Sequence, residues 1–471
     1  MNSKWHWKCS DLGDLIGVVT SGARSSLVPI RVVRDAIPLV RDEMLVVIDD
    51  FAEDRRFLGS VKSSVKLDIA IDASYLPTTF SPESTLKCSA PLMKTFVEIF
   101  GEITPSGSLE LSFAIPRPGS HVYLVKNGSK LSEILRLPQG LHVGNHKFSN
   151  LKVNLDPRAI DYHIAVVGAT GTGKSRLVKA IVEEVLRKTD YGVLIFDHTG
   201  VDYADESRWR CVARELGIKP VVIDGSRIIL DPVTIAELII ERARIPRSLE
   251  DHVYYSVARY VQDLIAVNEG SARSRLDVTR IEECVEKYFE LAKKGVQVWD
   301  FEGFLNRMYD YLSHLNAREA TKTKLSMLIS LNLGREFFNS YLSSRVIDVR
   351  DVVNDVLDKR SRLVIIDLST EVEYVAKRFV VAQALRWLWH RVLSERRRAN
   401  VLVVIDEAHN YACQRCYPSC TEIERTAREG RKWGIGLVIA SQRIIDLGTD
   451  VRGNINTVFF SRLQTYSDYK S

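Results

Sequence analysis

The most informative residues of the chain are Gly168-Ala-Thr-Gly-Thr-Gly-Lys174-Ser175, which have the G-x-x-x-x-G-K-[ST] spacing of a phosphate-binding loop. An apolar, β-branched run at residues 163–167 precedes them, and apolar residues recur at helical spacing over residues 176–187. Glycines let successive backbone N–H groups turn toward a phosphate, and the following helix adds the positive end of its dipole. Strand, loop and helix together predict an α/β fold that binds a nucleotide through its phosphates.

The residues of this loop have individual predicted roles. In loops of this spacing the lysine reaches the β- and γ-phosphates and the next hydroxyl binds Mg²⁺, which assigns these roles to Lys174 and Ser175. ATP and Mg²⁺ are therefore the predicted cofactors. The predicted nucleotide-binding residues are Gly168, Ala169, Thr170, Gly171, Thr172, Gly173, Lys174, Ser175 and Arg176.

A second apolar strand, residues 401–405, ends in two acids, Asp406 and Glu407. In ATPases with a phosphate-binding loop, the first acid orients the Mg²⁺ shell and the second polarises the attacking water. Asp406 is therefore predicted to lie on the metal side together with Ser175, and Glu407 is the predicted general base. The alternative is a core strand that ends in a solvated acidic turn, and the loop upstream argues against it.

A third strand, residues 436–440, leads to Ser441 and Gln442. Because the carboxyl ends of parallel strands line the ligand crevice, Gln442 is predicted to lie beside the γ-phosphate. The segment before this strand contains Arg428 and Arg431, and we predict that one of them acts as an arginine finger on the nucleotide of a neighbouring subunit. The alternative for each arginine is a basic helix end, which the helix dipole favours.

Together these motifs resemble the HerA family of hexameric DNA translocases, within the HerA–FtsK group of RecA-like ATPases. The resemblance covers nearly the whole chain, since residues 116–124 and 140–156 are similar to the family's lead-in to its ATPase core. It implies a RecA-like core, a homohexamer that moves along double-stranded DNA, and a NurA-type nuclease as partner in DNA end processing. The roles described above are then those of Lys174, Ser175, Asp406, Glu407 and Gln442.

Two details of the resemblance concern single residues. It favours Arg431 over Arg428 as the arginine finger. The strand at residues 192–197 ends in Asp197, which fits an acidic position of the family near the site. The acid that usually follows the next glycine is displaced in this chain, so the resemblance is weaker along that turn.

The pattern of strands and helices divides the chain into four predicted regions. Residues 1–100 contain short strand-like runs separated by Gly, Pro and Asp, which predict a small β-barrel. Residues 101–230 are predicted as a linker and the first part of the ATPase core with mainly parallel strands, residues 231–345 as a helical insertion, and residues 346–471 as the second part of the core. The resemblance implies that the barrel is a collar that docks partners. Direct DNA binding by the barrel is the alternative, but a row of aromatic residues with basic neighbours is missing.

The composition is typical of a large soluble protein. The chain has 471 residues, of which 45% are hydrophobic and 27% charged, enough for two or three hydrophobic cores. No run reaches the roughly 18 apolar residues of a membrane span, and the N-terminus lacks the apolar stretch of a signal peptide. A cytoplasmic protein without membrane contact is therefore expected. The net charge of +5 is compatible with nucleic acid, which would have to bind through local patches.

Three cysteines, Cys413, Cys416 and Cys420, follow the acidic pair closely. Their spacing permits a zinc site if His409 or another residue supplies a fourth ligand, although a structural zinc at His409 would crowd the γ-phosphate. A disulfide and free thiols in a surface loop are the other interpretations. The sequence leaves these three alternatives open.

The main functional hypothesis is an ATP-driven motor that moves along double-stranded DNA as a homohexamer. One alternative is a motor for plasmid conjugation or viral genome packaging, because those ATPases share the same core. Another is an ATP-gated DNA-binding scaffold that assembles on ATP and turns over little. The presence of Glu407 and of the candidate arginines argues against the scaffold.

Overall fold

The computed structural model of the protein describes residues 4–68, 91–270 and 281–463. The chain forms two compact units, an N-terminal unit of Met1–Asp156 and a C-terminal unit of Pro157–Ser471. Among the described residues, each hydrophobic core lies within one unit. No described helix is both long enough and apolar enough to cross a lipid bilayer.

The N-terminal unit is built on a barrel of antiparallel strands. They are β1 (Leu15–Val19), β2 (Leu27–Val32), β3 (Leu45–Asp50), β4 (Arg55–Asp68), β5 (Pro91–Ile103), β6 (Leu109–Glu110) and β7 (His121–Leu124). Their order is β2-β1-β7-β3-β4-β5-β6, and a further pairing of β2 with β5 closes the barrel. Alternate side chains point inward, as in β2, where Val28, Ile30 and Val32 are buried. The predicted barrel is present, and it extends past residue 100 because β5 and β7 are needed to close it.

A helix and a hairpin complete the N-terminal unit. They are α1 (Gly128–Ile134), β8 (Leu141–Asn145) and β9 (Lys152–Leu155). Helix α1 begins at Asn127, whose side chain accepts a hydrogen bond from Lys130 N at 3.0 Å. Residues 101–156, predicted as linker and early core, therefore fold with the barrel.

The C-terminal unit contains a seven-stranded sheet in which all neighbouring strands are parallel. Its strands are β10 (Ile164–Val167), β11 (Gly192–Asp197), β12 (Val221–Asp224), β13 (Leu363–Asp367), β14 (Val401–Ile405), β15 (Ile435–Ser441) and β16 (Thr457–Phe460). The order is β12-β13-β11-β14-β15-β10-β16. Every residue of β10, β11, β14 and β15 is buried, which accounts for their unbroken apolar runs. All the carboxyl ends lie at one edge of the sheet, with β15 between β10 and β14.

Helices make up most of the rest of the C-terminal unit. They are α2 (Lys174–Lys188), α3 (Arg210–Leu216), α4 (Pro232–Arg242), α5 (Glu250–Asn268), α6 (Ile281–Lys293), α7 (Phe301–His314), α8 (Glu319–Asn332), α9 (Gly334–Glu336), α10 (Val349–Leu357), α11 (Tyr374–Glu395), α12 (Ser419–Trp433) and α13 (Thr449–Gly453). Helices α4 to α10 lie between β12 and β13 in sequence. Helix α4 begins where Asp231 accepts a hydrogen bond from Thr234 N at 2.7 Å. These helices share one continuous hydrophobic core with the sheet, and Tyr260 stacks on Trp299 within it.

Candidate active site

The predicted phosphate-binding loop connects β10 to α2 at the carboxyl edge of the parallel sheet. Gly171 and Gly173 have φ angles of 78° and 94°, in the left-handed region that favours glycine. A Cβ atom at Gly168 would lie 1.6 Å from Ser461 Oγ, so only glycine fits there. The loop shape therefore depends on the glycines that the sequence motif contains.

The loop bounds a cavity of about 390 Å³ that Ala169 to Thr172, Arg462 and Leu463 line. Lys174 is almost fully buried, and its Nζ donates to the carbonyl oxygens of Gly168 at 2.9 Å and Ala169 at 3.2 Å. The ammonium therefore lies inside the curve of the loop. A phosphate bound in the cavity would lie beside the Lys174 ammonium and the N-terminal end of α2.

Asp406 and Glu407 directly follow β14, and β15 separates that strand from β10. Asp406 Oδ2 and Glu407 Oε2 are buried and have no hydrogen-bond partner among the described residues. Burial, followed by repulsion from Glu407 and Asp197, raises the pKa of Asp406 to about 8. A buried carboxylate oxygen without a hydrogen-bond partner, such as Asp406 Oδ2, suits a hard divalent cation that takes oxygen ligands. Asp406 therefore has an oxygen that suits Mg²⁺, and the shared role of Ser175 and Asp406 in holding the ion stays a prediction.

Glu407 has an unusual backbone conformation. Its φ of 43° lies in the left-handed region, and it begins a short 3₁₀ turn of Ala408–Asn410. Such strained non-glycine residues cluster at functional sites. The Oε2 atom of Glu407 lies 3.3 Å from His409 Nδ1, which limits the directions that the carboxylate can take.

Asp197, predicted near the site, has a different set of contacts. It is fully buried, and its Oδ2 accepts hydrogen bonds from Tyr203 N at 2.8 Å and Ala204 N at 2.9 Å. Its Oδ1 accepts from Gly200 N at 3.0 Å and from Thr199 N at 3.2 Å. Backbone donors thus occupy both oxygens, so Asp197 supports the site by organising the turn after β11.

Gln442 lies where the sequence predicts a group close to the loop. It directly follows β15, which pairs with β10. Gly168 N, at the start of the loop, donates to Ser441 O at 3.2 Å. The strand order therefore brings Gln442 next to the loop, although its contact with a γ-phosphate stays a prediction.

Arg428 and Arg431 both lie on α12 and are exposed. Arg428 forms an ion pair with Asp450 at 3.6 Å, and the Arg431 guanidinium lies over the Tyr162 ring at 3.9 Å. Tyr162 precedes β10, whose four residues span about 13 Å, so Arg431 is at the sheet edge opposite the loop. Within the described ranges, neither arginine has an ion pair or hydrogen bond to the loop of its own chain.

The cysteines after the acidic pair form one disulfide. Cys413 and Cys416 are bonded to each other, whereas Cys420 is a buried free cysteine. The part of the chain that the structure describes holds no group of three or more His, Cys, Asp or Glu side chains arranged for a metal ion. Of the three interpretations, the disulfide therefore fits Cys413 and Cys416, and Cys420 is a free thiol in the core.

Two residues that the sequence did not single out also belong to this region. Ser461 Oγ lies 2.7 Å from Thr172 Oγ1, and so holds the loop from the end of β16. Tyr203, in the turn that Asp197 organises, is fully buried beside the acidic pair. Neither lies in a recognisable spacing motif, because both contacts depend on distant strands meeting at one edge.

Among solved structures, two proteins show partial similarity to this chain. VirB4 of Thermoanaerobacter pseudethanolicus covers 70% of this chain and 86% of its own, with 16% identity and a TM-score of 0.40. The unbound monoclinic form of the bacterial conjugative coupling protein TrwB covers 71% of this chain and 75% of its own, with 15% identity and a TM-score of 0.42.

The sequence is similar to curated proteins from archaea. The DNA double-strand break repair helicase HerA of Pyrococcus furiosus is 25% identical over 402 residues, which are 78% of this chain and 69% of that protein. The protein of the same name from Sulfolobus acidocaldarius is 25% identical over 343 residues, 70% of this chain and 61% of its own length. Residues 141–387 match the family described as "Helicase HerA, central domain". Because that match covers more than half of the chain, the predicted resemblance is confirmed, and the protein is an ATPase that belongs to the HerA helicase family.

Proposed function

We propose that this protein hydrolyses Mg²⁺-bound ATP to move along double-stranded DNA as a homohexamer, in the repair of DNA double-strand breaks. The observation that carries the proposal is the meeting of the glycine loop and the Asp406-Glu407 pair at one edge of the sheet, in a chain of the HerA helicase family. Its relatives are named as DNA double-strand break repair helicases, which supports DNA as the polymer along which the protein moves.

The residues of the site divide the work between phosphate binding and water activation. Lys174 moves its ammonium from the loop carbonyls to the phosphate oxygens. Ser175 and Asp406 would hold Mg²⁺, which would supply positive charge to neutralise the phosphates. Glu407 accepts a proton from the attacking water, and Gln442 reports whether the γ-phosphate is present.

A second subunit completes each site in this proposal. Arg428 and Arg431 are exposed and do not contact their own loop among the described residues. An arginine from a neighbour would stabilise the charge that develops on the transferred phosphate. Arg431 is the better candidate, because Arg428 has a carboxylate partner in Asp450. The barrel of the N-terminal unit is then free to dock a NurA-type nuclease.

ATP turnover in the presence of DNA tests the proposal. Glu407→Gln removes the general base while keeping the shape of the side chain, so DNA-stimulated hydrolysis should fall by about 100-fold or more while ATP binding is retained. Lys174→Ala should lose ATP binding itself. The measurements are phosphate release with and without duplex DNA, and binding of a fluorescent ATP analogue.

A matched control is Glu206→Gln, which changes an exposed acid in the same unit and should hydrolyse ATP at the normal rate. If Glu407→Gln hydrolyses ATP normally, Glu407 is not the base. If the unmodified protein binds ATP and assembles on DNA but turns over little even with DNA, it acts as an ATP-gated scaffold and the motor proposal is wrong.

A further inference from the structure

The turn beside the acidic pair holds a tyrosine in a fixed position. Tyr203 N donates to Asp197 Oδ2 at 2.8 Å, and Tyr203 O accepts from Trp209 Nε1 at 2.8 Å. Asp197 and Trp209 are themselves fully buried. Because the backbone of Tyr203 is held on both sides, the direction of its side chain is set by the fold.

The Tyr203 side chain points toward the predicted metal ligands. Burial raises the pKa of Tyr203 well above its ordinary value; the Asp406 carboxylate raises it further, and the nearby Ser175 hydroxyl opposes the shift. Tyr203 is fully buried, and no group in the described chain completes a hydrogen bond of normal geometry with its hydroxyl. Its hydroxyl therefore faces Ser175 and Asp406 without a partner.

A buried hydroxyl without a hydrogen bond destabilises the folded protein. Packing alone therefore favours phenylalanine over tyrosine at this position. Asp406 Oδ2 is a second buried atom without a partner in the same place. The two atoms are a donor and an acceptor, yet they do not bond to each other. A water molecule on a metal ion has both of its protons free to donate, so it can donate one to the phenol oxygen and the other to the carboxylate.

We propose that Tyr203 is a positioning residue for the Mg²⁺ shell, whose hydroxyl oxygen accepts a hydrogen bond from a metal-bound water between Ser175 and Asp406. This inference rests on the proposed function, since it requires Mg²⁺ at that site. Mg²⁺ keeps several of its waters when it binds to proteins, so the protein controls its position partly through these waters. Tyr203 thereby connects the turn after β11 to the metal without being a ligand.

The test is Tyr203→Phe, which removes only the hydroxyl. ADP binding is followed by fluorescence in EDTA and again during a Mg²⁺ titration. Loss of a group that orients the metal shell typically weakens metal binding by about 10-fold or more. The Mg²⁺ concentration that gives half of the Mg²⁺-dependent change in ADP binding should therefore rise by that factor. ADP affinity in EDTA should be unchanged. The melting temperature in EDTA should stay the same or rise, because a buried unpaired hydroxyl has gone.

The matched control is Tyr191→Phe, because that hydroxyl donates to Asp161 just ahead of the opposite edge of the sheet. It should lower stability and leave the Mg²⁺ titration unchanged. The inference is overturned if Tyr203→Phe has a normal Mg²⁺ midpoint, or if it weakens ADP binding equally with and without Mg²⁺. If the unmodified protein binds ADP without any response to Mg²⁺, the proposed metal site itself is wrong, which is a different result.

Discussion

Two carboxylates at neighbouring strand ends, Asp197 and Asp406, differ in their surroundings. Strands β11 and β14 are adjacent, so both acids lie in the same buried region. Asp197 accepts hydrogen bonds from backbone N–H groups on both oxygens, whereas Asp406 Oδ2 accepts none. The free oxygen of Asp406 leaves it able to accept a hydrogen bond from a water of a Mg²⁺ shell, whereas the saturated oxygens of Asp197 make it a support for the turn.

A buried histidine couples the stability of the sheet to pH. His163 Nε2 lies 3.0 Å from Ala427 O, and Leu437 N donates to His163 Nδ1 at 3.1 Å. The ring therefore joins the start of β10 to α12 and β15 while it is neutral. Burial lowers the pKa of His163 to about 4, and burial likewise lowers that of His198 to about 4.

Stability should therefore fall as the solution is acidified. Above the ordinary histidine pKa of about 6.5, neither the folded nor the unfolded state binds the proton. Between about pH 6.5 and pH 4, the unfolded state binds it first, so His163 alone contributes a slope of up to about 1.4 kcal/mol per pH unit. Urea unfolding at pH 7 and pH 5 measures how much the free energy of unfolding falls on acidification. The fall should be smaller for His163→Gln than for the original chain, and the part that His198 contributes should remain in both. An equal loss in both proteins would show that His163 does not contribute.

At the level of elements, β16 holds the phosphate-binding loop from one side. Ser461 N donates to Val167 O at 2.8 Å, and Ala169 N donates to Arg462 O at 2.9 Å. Ser461 Oγ lies 2.7 Å from Thr172 Oγ1. The loop is thus fixed at its start and in its middle by the residues that follow the edge strand.

Ser461→Ala should loosen the loop. It removes the hydrogen bond to Thr172, which contributes about 1 kcal/mol, so ADP affinity should fall by about fivefold. Isothermal titration of ADP measures the change. Thr457→Ala, on the same strand, is the control and should bind ADP normally. Equal affinity of the two variants would mean that β16 supports the sheet but not the loop.

The sequence predicts these elements unevenly. The loop and the strands that flank it follow from local spacing and from unbroken apolar runs. The contact of Ser461 with Thr172 joins residues 289 positions apart, which no local pattern reveals. The pairings that close the barrel likewise join distant strands, since β5 pairs with β2 and β7 pairs with β3.

For the whole molecule, the main proposal to test is that six copies of the chain assemble into a ring. The described hydrophobic cores lie within single units, so the C-terminal unit has its own core to support a nucleotide site. Among the described residues, neither Arg428 nor Arg431 forms a hydrogen bond or ion pair with the loop of its own unit. A site shared between subunits accounts for this arrangement.

Mixed rings should reveal such a shared site. Lys174→Ala and Arg431→Ala should each be inactive, because one lacks phosphate binding and the other lacks the finger. When the two proteins are mixed before assembly, about a quarter of the interfaces combine an intact loop with an intact arginine. DNA-stimulated ATPase activity should therefore return in the mixture.

The control for this experiment is the double variant Lys174→Ala, Arg431→Ala, which should not restore activity when mixed with Arg431→Ala. If the mixture of single variants stays inactive, Arg431 acts within its own subunit or not at all. Repeating the mixture with Arg428→Ala then shows which of the two arginines serves the neighbour.

The hydrogen bonds of Lys174 to the carbonyls of Gly168 and Ala169 bear on product release. A buried ammonium without hydrogen-bond partners is energetically unfavourable. Without the loop carbonyls, the departure of a phosphate would leave the Lys174 ammonium in that state. Here the loop offers two carbonyl oxygens as soon as the phosphate leaves. The loop thus competes with ADP and phosphate for the same cation, and this competition favours emptying the site after each round of hydrolysis.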